Sequence, residues 1–128
     1  MADGSGRANG GVESSSVDTG AAPIDHRHLG RYTLGNRALE IEVLQLFAGQ
    51  APLTLAELAA ATTEKAWHIA AHTLKGSARA VGAWEVARIA EVAERDGPAE
   101  PQRSQSIASL EACIAVTNSY IDGLPAEA

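Results

Sequence analysis

The sequence predicts an all-α protein, an up-and-down antiparallel four-helix bundle with a short extra N-terminal helix. Three observations predict it. Apolar residues recur at helical spacing in four separate stretches. Aromatics make up only 4% of the chain, so the core must come from Leu, Ile, Val and Ala in alanine-rich segments that favour helix over sheet. The breaks between stretches are only a few residues long, which forces neighbouring helices to run antiparallel.

The 128 residues, 45% of them hydrophobic, suit one small domain with a core of its own. Residues 1–22 are rich in Gly, Ser, Ala and Asp, with Val12 and Val17 the only branched apolar side chains after Met1. Such a segment buries too little to offset its ordering entropy, and a disordered leader is expected there. The bundle is expected over 23–124, with 125–128 as a tail. Asp25 is placed to cap a short helix through His28 and Leu29. Asn36 caps the first long helix, in which Leu39, Val43, Leu46, Phe47, Leu53, Leu55 and Leu58 follow helical spacing. Pro52 lies inside that pattern and predicts a kink in one continuous helix. A turn at Thr62-Thr63-Glu64 leads to the second long helix, which Gly82 should stop. The third spans 83–95, with Val86, Ile89, Ala90 and Ala93 inward, and ends at Asp96-Gly97-Pro98. The fourth starts near 102 or 104, carries Ile107, Leu110, Ile114, Thr117 and Ile121, and closes at Gly123-Leu124-Pro125.

Charge and composition narrow the function. A net charge of −6 argues against a nucleic-acid binder. No apolar run is read as reaching the ~18 residues of a membrane span, and no signal peptide pattern opens the chain. Cys113 is the single cysteine, which excludes an internal disulfide and suits the cytoplasm. A cytoplasmic monomer is the expectation.

Chemistry concentrates on the second long helix. At about 100° per residue, Trp67, Ala70, Ala71, Leu74, Ala78 and Val81 fall on one stripe, the core face. His68, His72, Lys75 and Arg79 fall on another, with Lys65 nearby, and Gly76, Ile69, Thr73 and Ala80 continue the exposed surface. An exposed imidazole near its ordinary pKa of about 6.5 has a nitrogen free to attack phosphorus. Lys75, three residues on, is within reach of oxygens on a phosphoryl group there, and Arg79 adds a weaker field. Gly76 costs about 1 kcal/mol in a helix interior relative to Ala. Close approach of a large partner is one reason to carry that cost, and close packing of another helix is the alternative. No glycine-rich nucleotide loop, no acidic cage for Mg²⁺ and no general base is visible beside His72, so metal and acidic groups are expected from the partner.

Competing readings are weaker. His68 and His72 have metal-ligand spacing, but Ile69 stands where a zinc-protease helix has Glu, and no further ligand clusters with them in sequence. His26 and His28 fall in an expected flexible region. Glu40/Glu42 and Glu91/Glu94 read as solvated faces. Trp67 and Trp84 read as helix-packing residues.

The segment Ala71-His72-Thr73-Leu74-Lys75-Gly76-Ser77-Ala78, with Gly82-Ala83 beyond it, resembles the signature of histidine-containing phosphotransfer (HPt) domains. The likeness extends to Val86-Ala87 and Ile89-Ala90 and covers roughly residues 24–122. The resemblance implies a four-helix bundle in which His72 is phosphorylated on Nε2 by a receiver-domain aspartate and passes the group to another. It implies that Lys75 stabilises the phosphoryl group and that Gly76 gives access. His68 is not part of the signature. The docking surface expected from the resemblance is His68, Ile69, Gly76, Arg79 and Ala80, with Trp84 as a further candidate. Expected partners are response-regulator receiver domains and a hybrid sensor histidine kinase. The chain itself is expected to bind no cofactor, with Mg²⁺ supplied by the receiver. No ATP-binding half is present in this sequence, so the phosphoryl group must arrive from elsewhere. The alternative function is a non-catalytic helical adaptor that binds a receiver or other partner through the same surface.

Overall fold

The structure is a computed structural model that describes residues 22–125. Most of the expected leader and the last three residues of the tail lie outside the described residues. Among those described there are five helices and no strand: α1 (His26–Thr33), α2 (Arg37–Ala60), α3 (Glu64–Val81), α4 (Trp84–Asp96) and α5 (Gln102–Asp122). α2 packs on α3 and α5, α4 packs on the same two helices, and α1 lies against α2 and α3.

Local chemistry sets each boundary. Asn36 accepts from the Leu39 N–H at 3.0 Å and Thr63 from the Ala66 N–H at 3.0 Å, satisfying donors that a helix start leaves free. Gly82 ends α3 in the left-handed region at φ 78°, where its N–H closes back on the last turn. A Cβ there would also sit 2.9 Å from the Asp25 carbonyl oxygen, so the same glycine lets the chain entering α1 lie flat on the α3 terminus.

α2 runs unbroken through Pro52. Proline has no N–H to give the carbonyl four residues back, and Asn118 of α5 fills that vacancy: its Nδ2 donates to the Ala48 oxygen at 2.9 Å. The far end of α2 is closed from the same helix. Arg103 donates to the Ala59 and Ala61 carbonyls at 2.7 and 2.9 Å, placing a cation at the negative end of the helix dipole. Its guanidinium also lies 5.1 Å from the Trp67 ring centroid. Trp67 itself is fully buried and donates from Nε1 to the Ala93 oxygen of α4 at 2.8 Å. The core between these helices is aliphatic, with Leu44, Leu58, Ala71, Leu74, Ala78, Ala90, Ala93 and Leu110 at zero exposure.

Four expectations need correction. Leu39, Leu46 and Leu53 face solvent, whereas Ile41, Leu44, Phe47, Ala51, Leu55 and Leu58 are buried. α2 is apolar on nearly every side, so helical spacing alone could not select its inward stripe. That apolarity also makes α2 long and apolar enough, by length and composition, to cross a membrane, contrary to the reading that no run approached this. Here it packs between two other helices and buries Glu40, which accepts from the Thr33 hydroxyl at 2.9 Å. Glu40 is therefore not part of a solvated face. His26 and His28 belong to a formed helix, not a flexible stretch, and the His26 ring meets the Tyr120 hydroxyl of α5.

α1 is held by Ile24 and Leu29, each 1% exposed, and by Asp25. The Asp25 carboxylate caps α1 through the His28 N–H at 3.1 Å and accepts from the Trp84 indole N–H at 2.8 Å. The indole bond first, and the His28 N–H after it, hold its pKa below the ordinary value. A depressed carboxyl pKa stabilises the fold above the unfolded value near 3.9 and loses that contribution as pH falls through the folded pKa. Asp25→Ala should cost about 1 kcal/mol in denaturant unfolding at pH 7. The difference from wild type should shrink as the pH is lowered below the unfolded value and through the folded pKa. An undiminished difference in acid would mean the charge on Asp25 plays no part.

Candidate functional site

α3 presents its polar stripe because Trp67, Ala70, Ala71, Leu74, Ala78 and Val81 hold the opposite stripe in the core. Alanines at three of those six positions let α4 lie close, and α4 carries the acid that organises the site. Glu94 sits between three basic side chains of α3. Its Oε1 is 2.7 Å from Lys75 Nζ, and its Oε2 is 3.0 Å from His72 Nδ1 and 3.2 Å from His68 Nε2. The two imidazoles stack with centroids 5.9 Å apart and planes inclined by 14°. The His72 side chain is 65% exposed, while Lys75 and Glu94 are 14% and 13% exposed.

Charge fixes the protons. The Lys75 ammonium holds the Glu94 carboxyl below its ordinary pKa; burial opposes it less strongly, and the His72 hydrogen bond adds a smaller lowering. Glu94 is then a carboxylate at neutral pH and has no proton to give. His72 Nδ1 must donate, so in the neutral ring the lone pair is on Nε2, the other nitrogen of an exposed side chain. The contact thus selects which nitrogen is nucleophilic.

Glu94 corrects two readings. It is not a solvated carboxylate, and the acidic partner of His72 lies within the chain instead of coming only from outside. The pairing joins α3 to α4 across 22 positions of sequence, a distance that helical periodicity does not read. Lys75 is also less free than its place on the wheel indicated, because its side chain is largely covered and already paired.

The other site candidates divide. His68 joins the cluster, as described. Arg79 turns to Glu91 instead, with Nη2 3.6 Å from Oε1. Ile69 is 54% exposed, and Gly76 and Ala80 are exposed on the same helix. A Cβ built on Gly76 meets nothing within 4 Å, so no neighbouring helix requires a glycine there. Trp84, half exposed at the start of α4, is engaged with Asp25 at the α1 end of the molecule.

The Hpt domain profile matches residues 42–120, more than half of the chain. The chain belongs to the Hpt domain family. Hpt domains perform histidine phosphotransfer in phosphorelays and interact with receiver domains of two-component systems. The matched span contains His68, His72, Lys75 and Glu94, so the whole cluster lies within the Hpt domain. Comparison with curated proteins and with solved structures gives no match.

The proton assignment is testable by ¹⁵N NMR of the imidazoles. In the wild-type Hpt domain, His72 should show a protonated Nδ1 at a pH where the ring is neutral. Glu94→Leu should release that preference and give a mixture of tautomers with the helix content unchanged. A wild-type ring protonated on Nε2 would contradict the assignment.

Proposed function

We propose that this Hpt domain is a phosphorelay carrier that accepts a phosphoryl group on His72 Nε2 from the aspartyl phosphate of one receiver domain. It then returns the group to the aspartate of another. The observation that carries the reading is the Glu94–His72 contact, which keeps the proton on Nδ1 and leaves the attacking lone pair on an exposed nitrogen.

The transfer balances simply. An N–P bond forms at Nε2 while the P–O bond of the acyl phosphate breaks, and the bonding pair leaves with the receiver's aspartate. The proton stays on Nδ1, so positive charge develops in the ring, and the Glu94 carboxylate 3.0 Å away stabilises it as it appears. Lys75 sits one turn on and is the cation available to phosphoryl oxygens, at the expense of its contact with Glu94. Mg²⁺ is the receiver's contribution to charge neutralisation. Reversal uses the same groups.

The docking face in this reading is the exposed surface of α3. Ile69, Gly76 and Ala80 supply small or apolar contact, with His68 and Arg79 at its edge. The donor would be the receiver of a hybrid sensor kinase and the acceptor that of a response regulator, with the carrier acting as a cytoplasmic monomer. The bundle itself we take as up-and-down and antiparallel. Two contacts support that order: Trp67 near the start of α3 reaches Ala93 near the end of α4, and Arg103 at the start of α5 reaches the last turn of α2.

Two substitutions test the reading. His72→Gln should abolish acid-labile labelling by a phosphorylated receiver with the thermal unfolding unchanged; labelling that persists would remove His72 from the role. Gly76→Leu should leave stability equal or up to about 1 kcal/mol higher, because a helical glycine is replaced where no atom obstructs it. Transfer from the receiver should nevertheless slow by about tenfold or more, equivalent to ~1.4 kcal/mol. Unchanged transfer would show that Gly76 lies outside the docked face.

A further inference from the structure

In sequence, the helical pair His68 and His72 offered a metal ion only two ligands. The fold adds a third. His68, His72 and Glu94 each present one donor atom, and all three lie within 4.8 Å of one another. Two of the separations, 3.0 and 3.2 Å to Glu94 Oε2, are close to the ligand–ligand edge of about 3.3 Å that a tetrahedral site requires when zinc bonds are about 2.0–2.1 Å. Two histidines, one carboxylate and an open fourth position make a zinc donor set.

We propose that His68 Nε2, His72 Nδ1 and Glu94 Oε2 form a Zn²⁺ site whose occupation withholds His72 from phosphoryl transfer. The metal would take the position of the Nδ1 proton. The Nδ1 proton leaves to solvent and Nε2 takes one up from solvent, so the ring bound through Nδ1 stays neutral, in its other tautomer. The lone pair that attacks phosphorus is lost, although Nε2 stays exposed. Glu94 can serve with Oε2 alone, because Lys75 occupies Oε1. The Lys75 ammonium opposes the metal's charge, which makes the site a weak, exchangeable one and not a structural one. Lys75→Ala should accordingly strengthen it. The second half of the proposal rests on His72 being the phosphoacceptor; the first half does not.

The test uses the full, untagged chain with zinc chloride, read by equilibrium dialysis and by titration calorimetry. One zinc should bind per chain. His68→Gln and Glu94→Gln should each weaken it by about tenfold or more, as loss of a ligand does. No retained zinc, or zinc held equally well by both variants, would overturn the site. The ¹⁵N imidazole spectrum should move the His72 proton from Nδ1 to Nε2 as zinc is added, and a proton that stays on Nδ1 would overturn it as well. Labelling of His72 by phosphoramidate, a donor that needs no partner protein or metal, gives the functional arm. Zinc should slow wild-type labelling by a larger factor than it slows labelling of His68→Gln. Equal factors would overturn the regulatory half. If the zinc-free chain labels at His72 but binds no zinc, the metal proposal alone fails. If it binds zinc but never labels, the phosphoacceptor reading fails instead.

Discussion

A single carboxylate on α4, held between three basic side chains of α3, organises the candidate functional face of this molecule. Glu94 touches Lys75, His72 and His68, and each contact sets a different property. The lysine keeps the acid ionised. The ionised acid then decides which nitrogen of His72 bears the proton, and that decides which nitrogen is free to react. The arrangement depends on packing, because the rise of Glu94 along α4 must match that of His72 on α3. Alanines at 70, 71, 78, 90 and 93 keep the two helices close, and the Trp67–Ala93 hydrogen bond fixes their sliding position next to the site. The aliphatic core therefore positions the chemistry as well as stabilising the fold.

Much of this was legible in the sequence, and the reason is local. The boundaries of α2, α3 and α5 follow from Asn36, Thr63, Gly82 and the Gly-Pro breaks, whose conformational demands act within a few residues. α1 extends further than Asp25 and His28 indicated, and α4 is offset by one residue at each end. The core stripe of α3 was readable because its other face is charged. α2 lacked that contrast, so Leu39, Leu46 and Leu53 gave no sign that they point outward. Glu94 was hidden for a different reason. A carboxylate on an amphipathic helix looks solvated until a neighbouring helix is placed against it, and nothing in its own spacing says which neighbour that will be.

Two devices of the bundle share a pattern in which one element's backbone deficit is met by another's side chain: Asn118 completes the carbonyl that Pro52 cannot, and Arg103 closes the end of α2. A third contact, between side chains, ties Asp25 before α1 to Trp84. These contacts cross between helices far apart in sequence, and they brace the bundle while leaving the α3 surface uncovered. What these contacts leave open is an exposed face with Gly76 free of neighbours and His72 projecting. The metal reading draws on the same geometry, since a proton and a zinc ion compete for the same nitrogen.

The most direct test is to map the phosphoryl group itself on the full chain after incubation with a phosphorylated receiver domain. ³¹P–¹⁵N correlation on labelled histidine, with peptide mapping of the same sample, identifies both the residue and the nitrogen. The account predicts phosphorus on Nε2 of His72, with Nδ1 still protonated toward Glu94. Phosphorus on Nδ1, or on any other side chain, would contradict it.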